Sequence, residues 1–168
     1  MIRFISRNII RFILIVLFQV IILNNIQFSR FINPYFYIVF IMLLPFETPK
    51  WVQLVSGFLL GISIDAFSQT YGIHASASVF AAFLRPYVLN LIAPREDYEV
   101  GTLPRLHYYG FNWFIKYCTI MVIFHHVFLF YIEVFTFQDF FQTLHRALLS
   151  SLFTIVLIVL SQYFIYKK

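Results

Sequence analysis

GFLLGISIDAFSQTYGIHASASVF, residues Gly57 to Phe80, decides how this chain is read. Gly57, Gly61 and Asp65 fall at i, i+4 and i+8, one face of a helix, and the two glycines allow another backbone to come close along the line that ends in the carboxylate. Gly72 supplies a turn, and His74, Ser76 and Ser78 open a second helix within reach of Asp65. The stretch is therefore a helical hairpin whose inner face is buried against protein. A carboxylate at mid-bilayer costs about 2.5–3.5 kcal/mol, and four residues from the helix end place Asp65 about 6 Å below the membrane boundary. It needs a partner or neutralisation. A structural cluster that locks the hairpin is the preferred expectation, and a proton or ligand site is the alternative.

Outward from the hairpin the chain is a membrane protein. Of 168 residues, 61% are hydrophobic and 11% charged, and the mean hydropathy is +0.84, whereas soluble domains carry about 25% charged residues. Six spans of about 20 residues use roughly 120 positions and leave about 48 for loops and termini. That excludes a nucleotide-binding, catalytic or nucleic-acid-binding soluble domain despite the net charge of +5. Continuous apolar runs, not ten-residue alternation, exclude an outer-membrane barrel. The start, MIRFISRNIIRFILIVLF, has no small-residue cleavage site after its apolar run and reads as a retained signal anchor.

The expected fold is all-α: one domain over 1–168, a six-transmembrane-helix bundle with helices at 9–27, 35–46, 51–69, 74–93, 112–134 and 139–166. The second is the weakest, bracketed by Asn33-Pro34 and Pro45, since twelve residues rise only about 18 Å of a roughly 30 Å core. Charge counting favours its crossing. With six spans, Arg3, Arg7, Arg11, Lys50, Arg95, Arg105, Lys116, Lys167 and Lys168 lie on the cytoplasmic side and only Arg30 and Arg146 outside, in accord with the positive-inside rule. Both termini are then cytoplasmic, in an inner membrane. Trp51, Trp113, Tyr35, Tyr71, Tyr108, Tyr109, Tyr163 and Tyr166 fall near span ends, where amphipathic rings favour the interface.

Other polar residues carry weaker signals. Arg85-Pro86 interrupts the fourth helix: the proline removes a backbone hydrogen bond, and the guanidinium is free to snorkel, to bind released carbonyls or to reach another helix. His125, His126 and Glu133 hint at a metal or acid/base set, but the His-Glu-x-x-His spacing of helical zinc sites is absent. Cys118 stands alone, so no intrachain disulfide or cysteine metal site exists, and it reads as a small packed hydrophobe. No cofactor is expected. The loop PREDYEVGTLPRLHYYG from Pro94 reads as a solvated connection or a dock for a cytoplasmic protein. Gln138, Asp139, Gln142, His145 and Arg146 read as a solvated helix start or a partner contact.

Gly61, Asp65, Gly72 and His74-Ala75-Ser76-Ala77, with Arg85-Pro86 downstream, resemble the central hairpin of the rod shape-determining MreD family. The layout is similar over nearly the whole chain and the motif over about 30 residues. The resemblance implies a non-catalytic role in the bacterial cell-elongation machinery, with an MreC-like bitopic protein, a RodA-type polymerase, its penicillin-binding transpeptidase and, indirectly, actin-like MreB as partners beside membrane lipids. It also implies a fold similar to the S component of energy-coupling-factor vitamin transporters. The first alternative is such a substrate-binding subunit, taking a vitamin-like molecule near Asp65 and His74. Against it, S components pack a small-residue first helix on their coupling subunit, whereas Ile9 to Phe28 contains neither Ala nor Gly. The second is an intramembrane enzyme using Asp65 or the His125-His126 pair, for which the sequence shows no second converging group at fixed spacing.

Overall fold

The computed structural model describes residues 2–26, 32–94, 97–99, 101–136 and 138–165. Arg30, Arg95, Glu96, Tyr166, Lys167 and Lys168 lie outside the described residues, as do the side chains of Arg3 and Arg7. Every element is helical and the described residues contain no β-strand. Among the described residues, four helices are long and apolar enough to cross a membrane: Asn8–Asn25, Lys50–Ser68, Leu106–Val134 and Phe140–Phe164.

Helix α1 (Ile2–Leu17) continues through a π turn (Phe18–Ile22) and a 3-10 turn (Leu23–Asn25). The π turn follows a polar demand. Gln19 is 1% exposed; its amide donates to Pro34 O (3.1 Å) and Asn24 Oδ1 (2.9 Å), and its carbonyl accepts from Tyr37 N (3.3 Å). Such turns occur mainly where a helix departs from regularity for a local reason.

The helix expected over 35–46 is shorter. A 3-10 turn (Phe36–Ile38) leads into α2 (Val39–Met42), a single α turn, which ends before Pro45, a residue that has no N–H to continue the ladder. What the segment lacks in length it has in burial. Tyr37 through Leu44 are all buried, Tyr37, Ile38, Ile41 and Met42 completely, so this short element is the centre of the main core, with Leu60, Ile64, Phe114, Tyr117 and Met121 around it.

The remaining helices run α3 (Lys50–Ser68), α4 (Ile73–Leu91), α5 (Leu106–Val134) and α6 (Phe140–Ile165), each lying along the next. Their ends follow local chemistry. Pro49 precedes α3, the turn into α4 uses Gly72 at φ +84°, where a side chain would be strained, and Gly110 at φ +77° breaks α5 four residues after its start. The continuous fifth helix thus begins close to the expected 112. Helix α4 has the length of a span but not the apolarity, because His74, Arg85, Pro86 and Asn90 interrupt it. It packs on both α3 and α5 and holds nine buried residues.

Large apolar side chains cover the outside: Ile10, Leu14 and Leu17 on α1 and Ile21 on the π turn after it, Trp51 and Phe58 on α3, Phe83 on α4, Leu152 and Val156 on α6. A lipid surround solvates such a surface as well as a core does. The connection after α4 folds back on the bundle. The Tyr98 ring stacks on Phe46 with centroids 4.2 Å apart, and its hydroxyl donates to Leu89 O at 2.7 Å. Gly101 N donates to Glu47 Oε1 at 2.7 Å. Burial pushes the Tyr98 phenol up to about 12.

Candidate functional site: a buried polar chain and the cavity beside it

The α3–α4 hairpin is locked at backbone level. A Cβ on Gly61 would stand 2.3 Å from Ala75 Cα and 2.4 Å from His74 O, and one on Gly57 would stand 2.8 Å from Ser78 O. Glycine is what lets the two helices touch there. The close approach brings Asp65, 2% exposed, to the first turn of α4. Its Oδ1 accepts from His74 N (3.0 Å) and Thr70 Oγ1 (2.5 Å), and its Oδ2 from Ala75 N (2.9 Å). A carboxylate at the amino end of a helix meets N–H groups that have no intrahelical partner and the positive end of the dipole.

The partners expected for Asp65 are therefore corrected in part. The contact to His74 is through its backbone, and neither serine side chain reaches the carboxylate. Ser76 donates to Ile73 O, and Ser78 Oγ is buried without a hydrogen-bond partner. Thr70, in the turn, supplies the side-chain donor.

The His74 ring turns into the bundle and begins a chain of polar contacts. Tyr37 Oη lies 2.9 Å from His74 Nδ1 and 2.9 Å from His125 Nε2. His125 Nδ1 is 3.4 Å from His126 Nδ1, which also faces Val122 O at 2.9 Å. His126 Nε2 is 3.0 Å from Thr154 Oγ1, and that hydroxyl accepts from Tyr35 N at 3.1 Å. The chain links α4, the segment before α2, α5 and α6. All its side chains are at most 4% exposed, so each unmade bond would cost about 1–3 kcal/mol.

His126 and Glu133, expected on one face of the fifth helix, take separate roles. Glu133 pairs with Arg146 at 3.2 Å, whose guanidinium lies 4.5 Å from the centre of the Phe130 ring. Among the described residues no three His, Cys, Asp or Glu gather as a metal site would need. Cys118 is free and buried.

Arg85 is fully buried and does not snorkel. Its Nη1 donates to Gln53 Oε1 (3.1 Å), and its Nη2 donates to Leu44 O and to Pro45 O (3.4 Å). Of the three expected fates it takes the last and reaches other elements, Gln53 of α3 and the carbonyls past the end of α2, and not the carbonyls released in α4 by Pro86.

Tyr37, Gln19 and Thr154 are absent from the sequence reading. Each is a single polar residue in an apolar run, and no spacing rule connects positions 19, 37, 126 and 154. The nearest signal is the bracketing of the second segment by Asn33-Pro34 and Pro45, which marks an unusual element without saying what it carries.

A cavity of about 880 Å³ opens beside the chain at the α3–α4 turn, lined by Asn24, Asn33, Tyr35, Thr70, His74 and Arg146 among others. Near the opposite end of α3, an apolar groove of about 600 Å³ lies between α1, α2 and α3, with Phe12, Leu44 and Leu59 in its walls. No family model matches the chain, and neither a curated protein nor a solved structure does.

Proposed function

We propose that this chain is a non-catalytic membrane scaffold of the bacterial cell-elongation complex, of the MreD type. The observation that supports the reading most is the use the fold makes of the motif. Gly61 is spent on backbone contact, Gly72 on a left-handed turn, and both oxygens of Asp65 on the start of α4. The motif is a device that shapes the bundle. Partner recognition then falls to helix faces such as the Ile10, Leu14, Leu17 and Ile21 stripe of α1 and its π turn, where an MreC-like protein or a RodA-type polymerase with its transpeptidase would pack. In this reading α4 and the segment through α2 also cross, making six spans with both termini cytoplasmic in the inner membrane, in keeping with the positive-inside rule.

A second reading has its own observation. The polar cavity of about 880 Å³ lies within the 300–1,000 Å³ range of small-molecule sites, as a substrate-binding S-type subunit would require. Affinity capture of the tagged, mildly solubilised protein with mass spectrometry separates the two. Recovery of an MreC-like protein and cell-wall synthases supports the scaffold. Recovery of an ATPase pair with a coupling subunit overturns it in favour of transport.

A further inference from the structure

The buried chain from His74 to Thr154 has one more place for a hydrogen than its neutral side chains can fill. The Thr154 hydroxyl lies 2.9 Å from Ser150 O, the carbonyl four residues back in its own helix. It is 3.0 Å from His126 Nε2 and already accepts from Tyr35 N. It has a single hydrogen to give. His126 is held between this hydroxyl and a second acceptor, since its Nδ1 is 2.9 Å from Val122 O, which has no hydrogen to offer.

A neutral His126 leaves one contact bare whichever nitrogen carries the proton. With the proton on Nδ1, Val122 O is bonded, but Nε2 must take the Thr154 hydrogen, and Ser150 O then faces an oxygen at 2.9 Å with nothing between them. With the proton on Nε2, Thr154 keeps its bond to Ser150 O, and Nδ1 faces Val122 O as lone pair against lone pair. A second proton on His126 fills both places. Nε2–H then donates to Thr154, Thr154 to Ser150 O, and Nδ1–H to Val122 O with the His125 Nδ1 lone pair 3.4 Å away. Further along, His125 Nε2–H donates to Tyr37 Oη and Tyr37 to His74 Nδ1. Every link carries one hydrogen, which no neutral arrangement achieves.

A buried charge is costly unless it is hydrogen-bonded, but this bundle already holds one on those terms. Arg85 is fully buried on two carbonyls and an amide oxygen. The groups that face His126 are His125 on α5, Tyr35 and Tyr37 before α2, His74 on α4 through Tyr37, and Thr154 on α6. The Arg146 charge of α6 is paired with Glu133 of α5. Both oxygens of Asp65 on α3 are taken by the start of α4.

We propose that the chain is a proton-binding site, which takes up one proton through His74 Nε2 and holds it as an imidazolium on His126. His74 is 4% exposed and lines the cavity at the α3–α4 turn, and Nε2 is the nitrogen not engaged by Tyr37. In the unloaded chain with Thr154 bonded to Ser150 O, the hydrogens sit on His126 Nε2, His125 Nδ1, Tyr37 Oη and His74 Nδ1. A proton from solvent adds to His74 Nε2, and His74 passes its Nδ1 hydrogen to Tyr37 Oη. Tyr37 passes its own to His125 Nε2, and His125 passes its Nδ1 hydrogen to His126 Nδ1. Each group gains one hydrogen and gives one up except His126, which keeps both, so the net change is one positive charge moved from the cavity into the bundle. The inference rests on contacts inside the bundle and is independent of the scaffold reading.

The test is nitrogen-15 magnetic resonance of the full chain in detergent, labelled on its histidine rings. The exposed His107 and His145 are replaced by Gln, so that the remaining signals come from His74, His125 and His126. One ring with both nitrogens protonated is expected at about pH 5, with its share falling toward about pH 8. His126→Gln should abolish it. Thr154→Val keeps the shape of the side chain and removes the acceptor at Nε2, so proton binding should weaken about tenfold or more, and the doubly protonated ring should appear about one pH unit lower. Tyr37→Phe should still allow charging at about pH 5 but slow exchange of the His126 ring hydrogens with deuterated solvent. Three neutral rings at about pH 5, a doubly protonated ring that survives His126→Gln, or a wild-type response in Thr154→Val overturns the site. Unchanged exchange in Tyr37→Phe overturns the route of entry.

Discussion

Asp65 and Arg85 are the two charged residues buried deepest in the described bundle, about three helical turns apart along the α3–α4 pair, and neither is paired with the other or with any opposite charge. Asp65 is met by two backbone N–H groups at the start of α4 and a threonine hydroxyl. Arg85 is met by carbonyls of Leu44 and Pro45 past the end of α2 and by the Gln53 amide. Helix amino ends present orphan donors and helix carboxyl ends orphan acceptors, so an anion belongs at one and a cation at the other. The difference lies in tightness. The Asp65 end is closed by glycine contacts that hold two backbones together, whereas the Arg85 end depends on one long side chain reaching across to a short element.

The contrast is sharpest at Gly61. Gly61→Leu should produce the largest effect, loss of the monodisperse folded protein on size-exclusion chromatography, because the atoms in the way are backbone and overpacking of even yielding cores costs about 1–3 kcal/mol. A folded, stable Gly61→Leu would break the claim that the α3–α4 backbones are in contact. Arg85→Met should follow, lowering stability by about 3 kcal/mol as buried carbonyls lose their donor. Arg85→Lys should recover only part of that, since one ammonium cannot reach the spread of acceptors that a guanidinium fork does. Equal melting of both variants with wild type would mean that water or other groups satisfy Leu44 and Pro45.

At the other end, Asp65→Leu should leave insertion intact and destabilise by on the order of 2–3 kcal/mol, since it orphans the His74 and Ala75 N–H groups. Asp65→Asn should cost about 1 kcal/mol, keeping one carbonyl oxygen for them. Thermal melts of the purified variants measure the order, and matching Tm values for both and wild type would remove the lock. The smallest effect is expected in the connection after α4. Tyr98 in the folded chain holds its proton up to about 12 against an ordinary value of 10, so the folded state binds more protons between those values and stability falls as pH rises through that window. Tyr98→Phe should flatten the fall, as read from Tm against pH.

Much of the hairpin was legible in advance. Gly57, Gly61 and Asp65 share a face because the helical repeat puts them there, and helices expected at 51–69 and 74–93 run Lys50–Ser68 and Ile73–Leu91. The identity of the Asp65 donors was not legible, because a backbone N–H has no letter in the sequence. His125 and His126 stand out in the sequence, but no converging group stands near them in it. That group, Tyr37, is 88 residues away in sequence from His125, and no local periodicity brings it there.

The sequence by itself determined the solvent this chain is built for and where the two helices of the α3–α4 hairpin start and stop, since composition and the nearest few residues govern both. Apolar run length sets what a segment can cross, and Pro49, Gly72 and Pro45 act within one turn of where they stand. Only the tertiary structure decided that the weakest-looking segment, 35–46, forms the centre of the core and that its Tyr37 links His74 to the His125-His126 pair. Those contacts depend on which helix faces meet, and facing is set by packing over the whole bundle, where buried polar groups must find partners wherever they are in the chain.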